Sequence, residues 1–384
     1  MKIGIYAPYL RACGGGEKYI GQIAEILSKE NNVEFLTLNN IDLSEIESRL
    51  NLDLSRVTTK QLHLRGLSIF LAIEMATKEY ELFINQEHMT TIPSHAKKSV
   101  LIQEVPFQNE NGFTNVQKLC HKAAFILDTQ NWARYHKTRI FDSKWATYDE
   151  IIVNSYFTKK YIERYCGKIA TVLNPPVDTE LFASQLNCEN IILSVGRLSA
   201  PALKKQILMI RAFKKICNQD LANWEYHLVG GSMDTSEERS FIKKCEEESR
   251  GYPIYIHVNE PFNSLIEING RAKIFWHAKG FGEPENHPER LEHFGMATLE
   301  AMAAGCVPVV VNKGGHQEIV TNGLEGFLWD SVEELMNYTL KLADDATLWE
   351  KMRDASIRKS ECFGIKLFKD KVKRYFCESN VATI

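Results

Sequence analysis

Apolar residues along this chain fall into short β-branched runs that alternate with stretches of helical period. Ile3-Gly-Ile-Tyr-Ala reads as a first buried strand, Pro8 to Gly16 as a turn, and Glu17 to Lys29 as a helix. Val33 to Leu38 predicts a second strand, which gives the opening of a doubly wound α/β domain. Further strands are expected at Leu82–Asn85, Val100–Gln103 and Ile151–Asn154. Helices are expected over Ser68–Lys78, over much of Asn115–Arg139, and from a capping Ser155 to Tyr165.

Asn174-Pro175-Pro176-Val177-Asp178 breaks both periods and reads as a linker. Alternation then restarts: strand Ile191–Val195, helix Leu203–Ile216, strand Trp224–Val229, helix Glu237–Glu247, strand Ile254–Val258, helix Phe262–Arg271, strand Ile274–His277. Residues 331–378 read as mostly helical, with a break near Phe363-Gly364. Two α/β domains with a cleft between them are the expected architecture, with ligands at the carboxyl ends of the strands.

The most informative stretch runs from His287 to Gly315, HPERLEHFGMATLEAMAAGCVPVVVNKGG. Gly295 lets a backbone approach closely, and a helix starting near Met296 presents first-turn amides without partners inside the helix, an end that attracts phosphate. Glu300 lies four residues after Met296, so it shares a face with that first turn. Ala301 to Gly305 make the helix too small and apolar for a surface helix, and Val307 to Val311 reads as a buried parallel strand. A carboxylate carried into such surroundings, as at Glu292 or Glu300, needs a partner.

At 384 residues the chain has room for two cores, and 44% apolar and 25% charged residues are ordinary for a globular protein. A net charge of −3 argues against nucleic acid as partner. The nine cysteines show neither C-x-x-C pairs nor zinc spacing, which fits a reducing compartment. The first apolar run ends at Pro8, too short for a signal peptide, and no run reaches the ~20 residues that span a bilayer. These features together lead to the expectation of a cytosolic protein, with at most peripheral membrane contact.

Other residues suggest chemistry. Cys13-Gly14-Gly15-Gly16-Glu17 opens a helix after the first strand and suits backbone contact with a phosphate or sugar, although glycines there also serve a turn. A dinucleotide fingerprint fits poorly, because Tyr19 stands where its third glycine belongs and Leu38-Asn39-Asn40 lacks the acid that should end the second strand. Arg197 ends a strand, and Lys204 and Lys205 are expected to begin the next helix; an Arg and a Lys converging on a cleft neutralise a diphosphate without metal. His277 ends a strand beside the Glu292 loop, where it could line the cleft, whereas His88 and His95 lie in a first-domain loop; all three read first as structural, with no metal spacing or carboxylate partner visible in the sequence.

Together these residues resemble the retaining GT-B glycosyltransferases that use nucleotide-diphospho-sugars and carry an E-x7-E motif. The resemblance runs through PYLRACGGGEKY, NPPVDTELF, SVGRL with KKQILMIRAF, HLVGGS and EHFGMATLEAMAAGCVPVVVNKGGHQEIV, and is loosely nearest the α-1,2-mannosyltransferase branch. It implies two Rossmann-like domains facing across a cleft: an acceptor domain over 1–173, to which a helix at about 363–384 crosses back, and a donor domain over 174–362. It implies that Glu300 binds ribose and Glu292 the donor sugar, while the amides of Phe294, Gly295, Met296 and Ala297 hold sugar and phosphate. Arg197 and Lys204 would stabilise the leaving diphosphate; the spacing leaves Lys205 open as the lysine. Gly15 and Gly16 would approach the phosphate, backbone near Asn259 would meet the base, and Gly314, Gly315 and Glu318 match the family's turn. Relatives often carry a histidine after a first-domain strand, where this chain offers Gln103 or Glu104. Neither metal nor cofactor is expected.

The implied reaction moves a sugar from a nucleotide sugar, GDP-mannose ahead of UDP-sugars, to a glycan or lipid-linked acceptor. First-domain loops around residues 8–16, 56–68 and 86–113 would hold the acceptor, with Leu67 to Ile73 available to a lipid or to an ordinary core. A sugar-nucleotide epimerase and a non-catalytic nucleotide-sugar-binding subunit are the rival readings.

Overall fold

The computed structural model describes residues 1–38, 40–62, 67–88, 90, 92–106, 145–183, 188–199, 203–218 and 221–377. The helix expected over Asn115–Arg139 lies outside them, as do residues 89, 91 and 107–113 of the loop at 86–113 and residues 63–66 of the loop at 56–68. The chain divides into two compact units, Met1–Leu173 with Lys369–Ile384, and Asn174–Phe368.

The first unit runs β1 (Lys2–Tyr6), α1 (Gly15–Ser28), β2 (Asn32–Thr37), α2 (Leu43–Leu50), β3 (Val57–Gln61), α3 (Leu67–Thr77), β4 (Leu82–Asn85), β5 (Lys98–Gln103), β6 (Glu150–Val153), α4 (Tyr156–Cys166) and β7 (Thr171–Val172). Its parallel sheet has the order β3-β2-β1-β4-β5-β6-β7, so the winding reverses between β1 and β4. Ser155 does cap α4, accepting a hydrogen bond from the Thr158 amide at 2.9 Å, and Gly167 closes the helix at φ +63°. Tyr19, which displaces the third fingerprint glycine, is fully buried and donates to the Leu173 carbonyl at 2.8 Å.

The second unit runs α5 (Thr179–Ala183), β8 (Glu189–Val195), α6 (Gln206–Cys217), β9 (Glu225–Gly230), α7 (Ser236–Ser249), β10 (Ile254–Val258), α8 (Phe262–Arg271), β11 (Ala272–His277), α9 (Met296–Ala303), β12 (Val307–Val311), α10 (His316–Ile319), β13 (Phe327–Trp329), α11 (Val332–Asp344) and α12 (Ala346–Glu361), and α13 (Ile365–Val372) begins in it and ends in the first unit. Its sheet has the order β10-β9-β8-β11-β12-β13, reversing between β8 and β11. Period-two alternation divides the strands between two cores. Ile192, Ile274, Trp276, Val307 and Val309 face one, and Ile191, Leu193, Phe275 and Val310 face the other.

Two expectations need correction. Helix α6 begins at Gln206 rather than Leu203, because Lys205 holds a left-handed backbone at φ +60° and Gln206 Nε2 reaches back to the Arg197 carbonyl at 2.9 Å. Lys204 and Lys205 therefore lie on the loop before the helix. Strands β3 and β13 and helix α2 were not anticipated; VTTKQ of β3 is mostly exposed and polar, as an edge strand is, and β13 has only three residues. Among the described residues, no helix is long and apolar enough to cross a membrane.

Candidate functional site

Each unit gathers polar side chains at the point where its own sheet reverses, the place where open α/β sheets take ligands. In the second unit these are the carboxyl ends of β8 and β11. Gly196 follows β8, and the stem of Lys204 lies so close that a Cβ at Gly196 would stand 3.3 Å from Lys204 Cδ. The ammonium of Lys204 reaches Glu292 Oε2 at 2.7 Å and His277 Nε2 at 3.2 Å. His277 Nε2 is itself 3.2 Å from Glu292 Oε2, and Lys279 Nζ is 4.0 Å from the same oxygen. Glu292 thus has the partner that its burial demands.

Of the two readings of His277, the place beside the Glu292 loop is the one found, with a carboxylate partner that the sequence did not show, and His95 too meets a carboxylate, Glu74, at 2.9 Å. Burial and the Lys204 charge pull the His277 ring down to about 4, so it stays neutral at ordinary pH. Burial opposes ionisation of Glu292, but Lys204, Lys279 and His277 outweigh it and hold the carboxyl well below the usual range. Burial pulls Lys279 down to about 8, against the attraction of Glu292. At pH 7 the cluster holds two ammonium groups and one carboxylate, a net positive charge in nearly buried surroundings.

Lys205 goes elsewhere. Its ammonium pairs with Glu283 at 2.6 Å, and Arg290 meets the other oxygen of Glu283 at 3.3 Å. Lys313 caps the Glu283 carbonyl at 2.7 Å.

The loop that delivers Glu292 is fixed by backbone contact. Gly315 donates its amide to the Glu292 carbonyl at 2.8 Å, and a Cβ on Gly314 would lie 2.2 Å from that same oxygen. Gly295, at φ +116°, turns the chain into α9, so Phe294, Gly295, Met296 and Ala297 form the helix entrance and Glu300 lies half-buried on the same helix. His316 packs edge-on against His277, ring centroids 4.5 Å apart, and its Nε2 is 3.2 Å from Thr298 Oγ1 of α9. Arg197 is exposed just past β8. Asn259, at φ +56° past β10, holds the Ser232 amide at 2.8 Å, away from the Glu292 contacts just described. Glu318 is half-buried in α10.

In the first unit, Gly15 and Gly16 open α1. A Cβ on Gly16 would lie 2.8 Å from Glu104 Oε2. Gln86 Nε2, past β4, donates to Glu104 Oε1 and also to the Gly16 carbonyl, the latter at 2.7 Å. Burial pushes the Glu104 carboxyl up to about 7, the Gln86 hydrogen bond opposing and nearby Glu17 adding to the rise. Gln103, the other residue offered for this place, turns away and donates to the Glu87 carbonyl at 3.1 Å.

Residues 178–359 match the family model described as glycosyl transferases group 1. This segment is a glycosyl transferases group 1 domain. The GDP-Man:Man(3)GlcNAc(2)-PP-Dol alpha-1,2-mannosyltransferase of Xenopus laevis is 29% identical over 247 residues, 58% of this chain and 46% of that protein. The human protein of the same name is 25% identical over 307 residues, covering 74% and 57%. The chain spans about half the length of these curated relatives. Among solved structures, Anabaena Alr3699/HepE in complex with UDP and glucose superposes with a TM-score of 0.72 at 15% identity, over 97% of this chain and 98% of that one. The fold of the glycosyl transferases group 1 domain and its companion unit is therefore GT-B, built from two Rossmann-like units.

Lys279 is the site residue that sequence reasoning missed. It stands two residues past β11, beside the sheet reversal, and that position was the available signal.

Proposed function

We propose that this protein is a glycosyltransferase that moves a sugar from a nucleoside-diphosphate sugar to a glycan or lipid-linked acceptor, with retention of anomeric configuration. The observation that carries the reading is the positive excess around Glu292, where Lys204 and Lys279 face one carboxylate at a sheet reversal. A departing diphosphate supplies the missing negative charge, and fixed ammonium groups stabilise it without reorganisation. Arg197 adds a further cation at the end of β8, so the reading requires no bound metal. Backbone amides of Phe294 to Ala297 would hold donor sugar and phosphate, Glu292 would orient the sugar, and Glu300 would take the ribose hydroxyls.

GDP-mannose is the donor put forward first, because the curated relatives bear that specificity in their names. In the step envisaged, the bond between the anomeric carbon and the diphosphate oxygen breaks and one to the acceptor oxygen forms on the same face. The acceptor's proton leaves with the diphosphate. Acceptor recognition is assigned to the first unit, where Glu104 and Gln86 border Gly16.

The test incubates purified protein with GDP-mannose, and in parallel with UDP-glucose, over a panel of glycan and polyprenyl-linked acceptors. NMR of the product reads the anomeric configuration. Transfer with inversion refutes retention, isomerised donor without acceptor supports an epimerase, and donor binding without turnover on any acceptor supports a binding subunit.

A further inference from the structure

Several cations surround the loop between β11 and Glu292, and most are accounted for. Lys205, Arg290 and Lys313 all converge on Glu283, at 2.6, 3.3 and 2.7 Å. Lys279 is different. Its side chain is only 13% exposed, and among the described residues the acceptor its ammonium faces is Glu292 Oε2, at 4.0 Å, beyond hydrogen-bond distance. That oxygen is already held by Lys204 at 2.7 Å, with the neutral His277 ring at 3.2 Å.

A nearly buried ammonium has three donors to place and is costly without acceptors. Glu292 balances one of the two lysines, not both. The backbone fixes the arrangement: the Lys279 amide approaches His277 Nδ1 at 3.4 Å, and Gly280, at φ +104°, folds the loop back against Leu291. Lys279 is thus held in place for a negatively charged ligand.

We propose that Lys279 binds the diphosphate of a nucleoside diphosphate, as a cation additional to Lys204. The inference rests on the nucleotide-sugar reading and adds to it a residue outside the sequence stretches that carry the family resemblance. Burial of Lys279 also sets its charge to fade as pH rises through about 8.

The experiment is titration calorimetry of the full chain with GDP, UDP and the matching monophosphates, for wild type, Lys279→Met and Lys279→Arg. Loss of one charge-assisted contact predicts that Lys279→Met binds the diphosphate about 10- to 100-fold more weakly while the monophosphate changes little. Lys279→Arg retains diphosphate affinity. A pH series from 7 to 9 separates contact from architecture. Of the groups around Lys279, Glu292 stays ionised and His277 neutral, and Lys204 is present in every variant. Wild-type affinity therefore falls above about pH 8 more steeply than that of Lys279→Arg. Unchanged diphosphate affinity in Lys279→Met, or an equal loss for mono- and diphosphate, overturns the inference and leaves the nucleotide-sugar reading standing. Wild-type protein that binds no nucleotide overturns both.

Discussion

Lys204 Nζ and Glu292 Oε2 lie 2.7 Å apart although 88 residues separate them in sequence. The pair ties the loop after β8 to the loop before α9, and both side chains are largely withdrawn from water, at 28% and 13% exposure. A pair in that setting is costly to break from one side, because the remaining charge keeps its desolvation penalty.

Glu292→Gln is therefore expected to lower stability by about 2–4 kcal/mol, since it leaves Lys204 and Lys279 facing each other. Adding Lys204→Met should restore part of that loss. A double-mutant cycle from denaturant unfolding checks this, and strictly additive losses would show that the two residues are not coupled.

Lys205→Ala serves as the contrasting substitution. Its ammonium belongs to Glu283, so nucleotide affinity should stay near wild type while Lys204→Met loses it. Calorimetry on both variants decides, and equal losses would mean that the two lysines share the role.

His277 makes stability depend on pH. The unfolded ring takes a proton near its ordinary value of about 6.5, whereas the folded ring refuses it until about 4. The unfolded state binds more protons across that window, so stability is fully present above it and is lost as pH falls through it. The loss amounts to at most about 3 kcal/mol. His277→Gln should flatten the slope of thermal midpoint against pH between 4 and 6.5; an unchanged slope contradicts the assignment.

Glu104 has the opposite sign. Its unfolded carboxyl ionises near the ordinary 4.5 and its folded one near 7, so the folded state holds the extra proton and stability falls as pH rises through that interval. Glu104→Gln should match wild type at pH 4 and exceed it by up to about 3 kcal/mol at pH 8. Equal midpoints at pH 8 would place the ionised carboxylate at no disadvantage in its pocket.

Much of this arrangement was legible because β-branched runs buried on both faces announce parallel strands; Val307–Val311, buried throughout, falls where the pattern puts it. The missed strands β3 and β13 lack that pattern, one being polar and the other three residues long. In the site, the glycines and Glu292 stood out because their types are unusual in their surroundings. Lys279 did not, because a lysine in a charged loop looks solvated until the fold returns Glu292 to it. The partner of His277 was hidden for the same reason: contacts across a sheet reversal are set by topology, which local pattern does not reveal.

The central claim is that the Glu292 cluster holds a nucleoside diphosphate. It is tested most directly by the thermal midpoint of wild type and Lys204→Met with GDP and with UDP, in the presence of EDTA. At a ligand concentration one hundred times the dissociation constant, binding adds about 2.7 kcal/mol to the wild type. The account predicts a raised midpoint with one of the two nucleotides for wild type and little or none for Lys204→Met. A wild type that responds to neither nucleotide, or a Lys204→Met variant that responds as strongly, would contradict it.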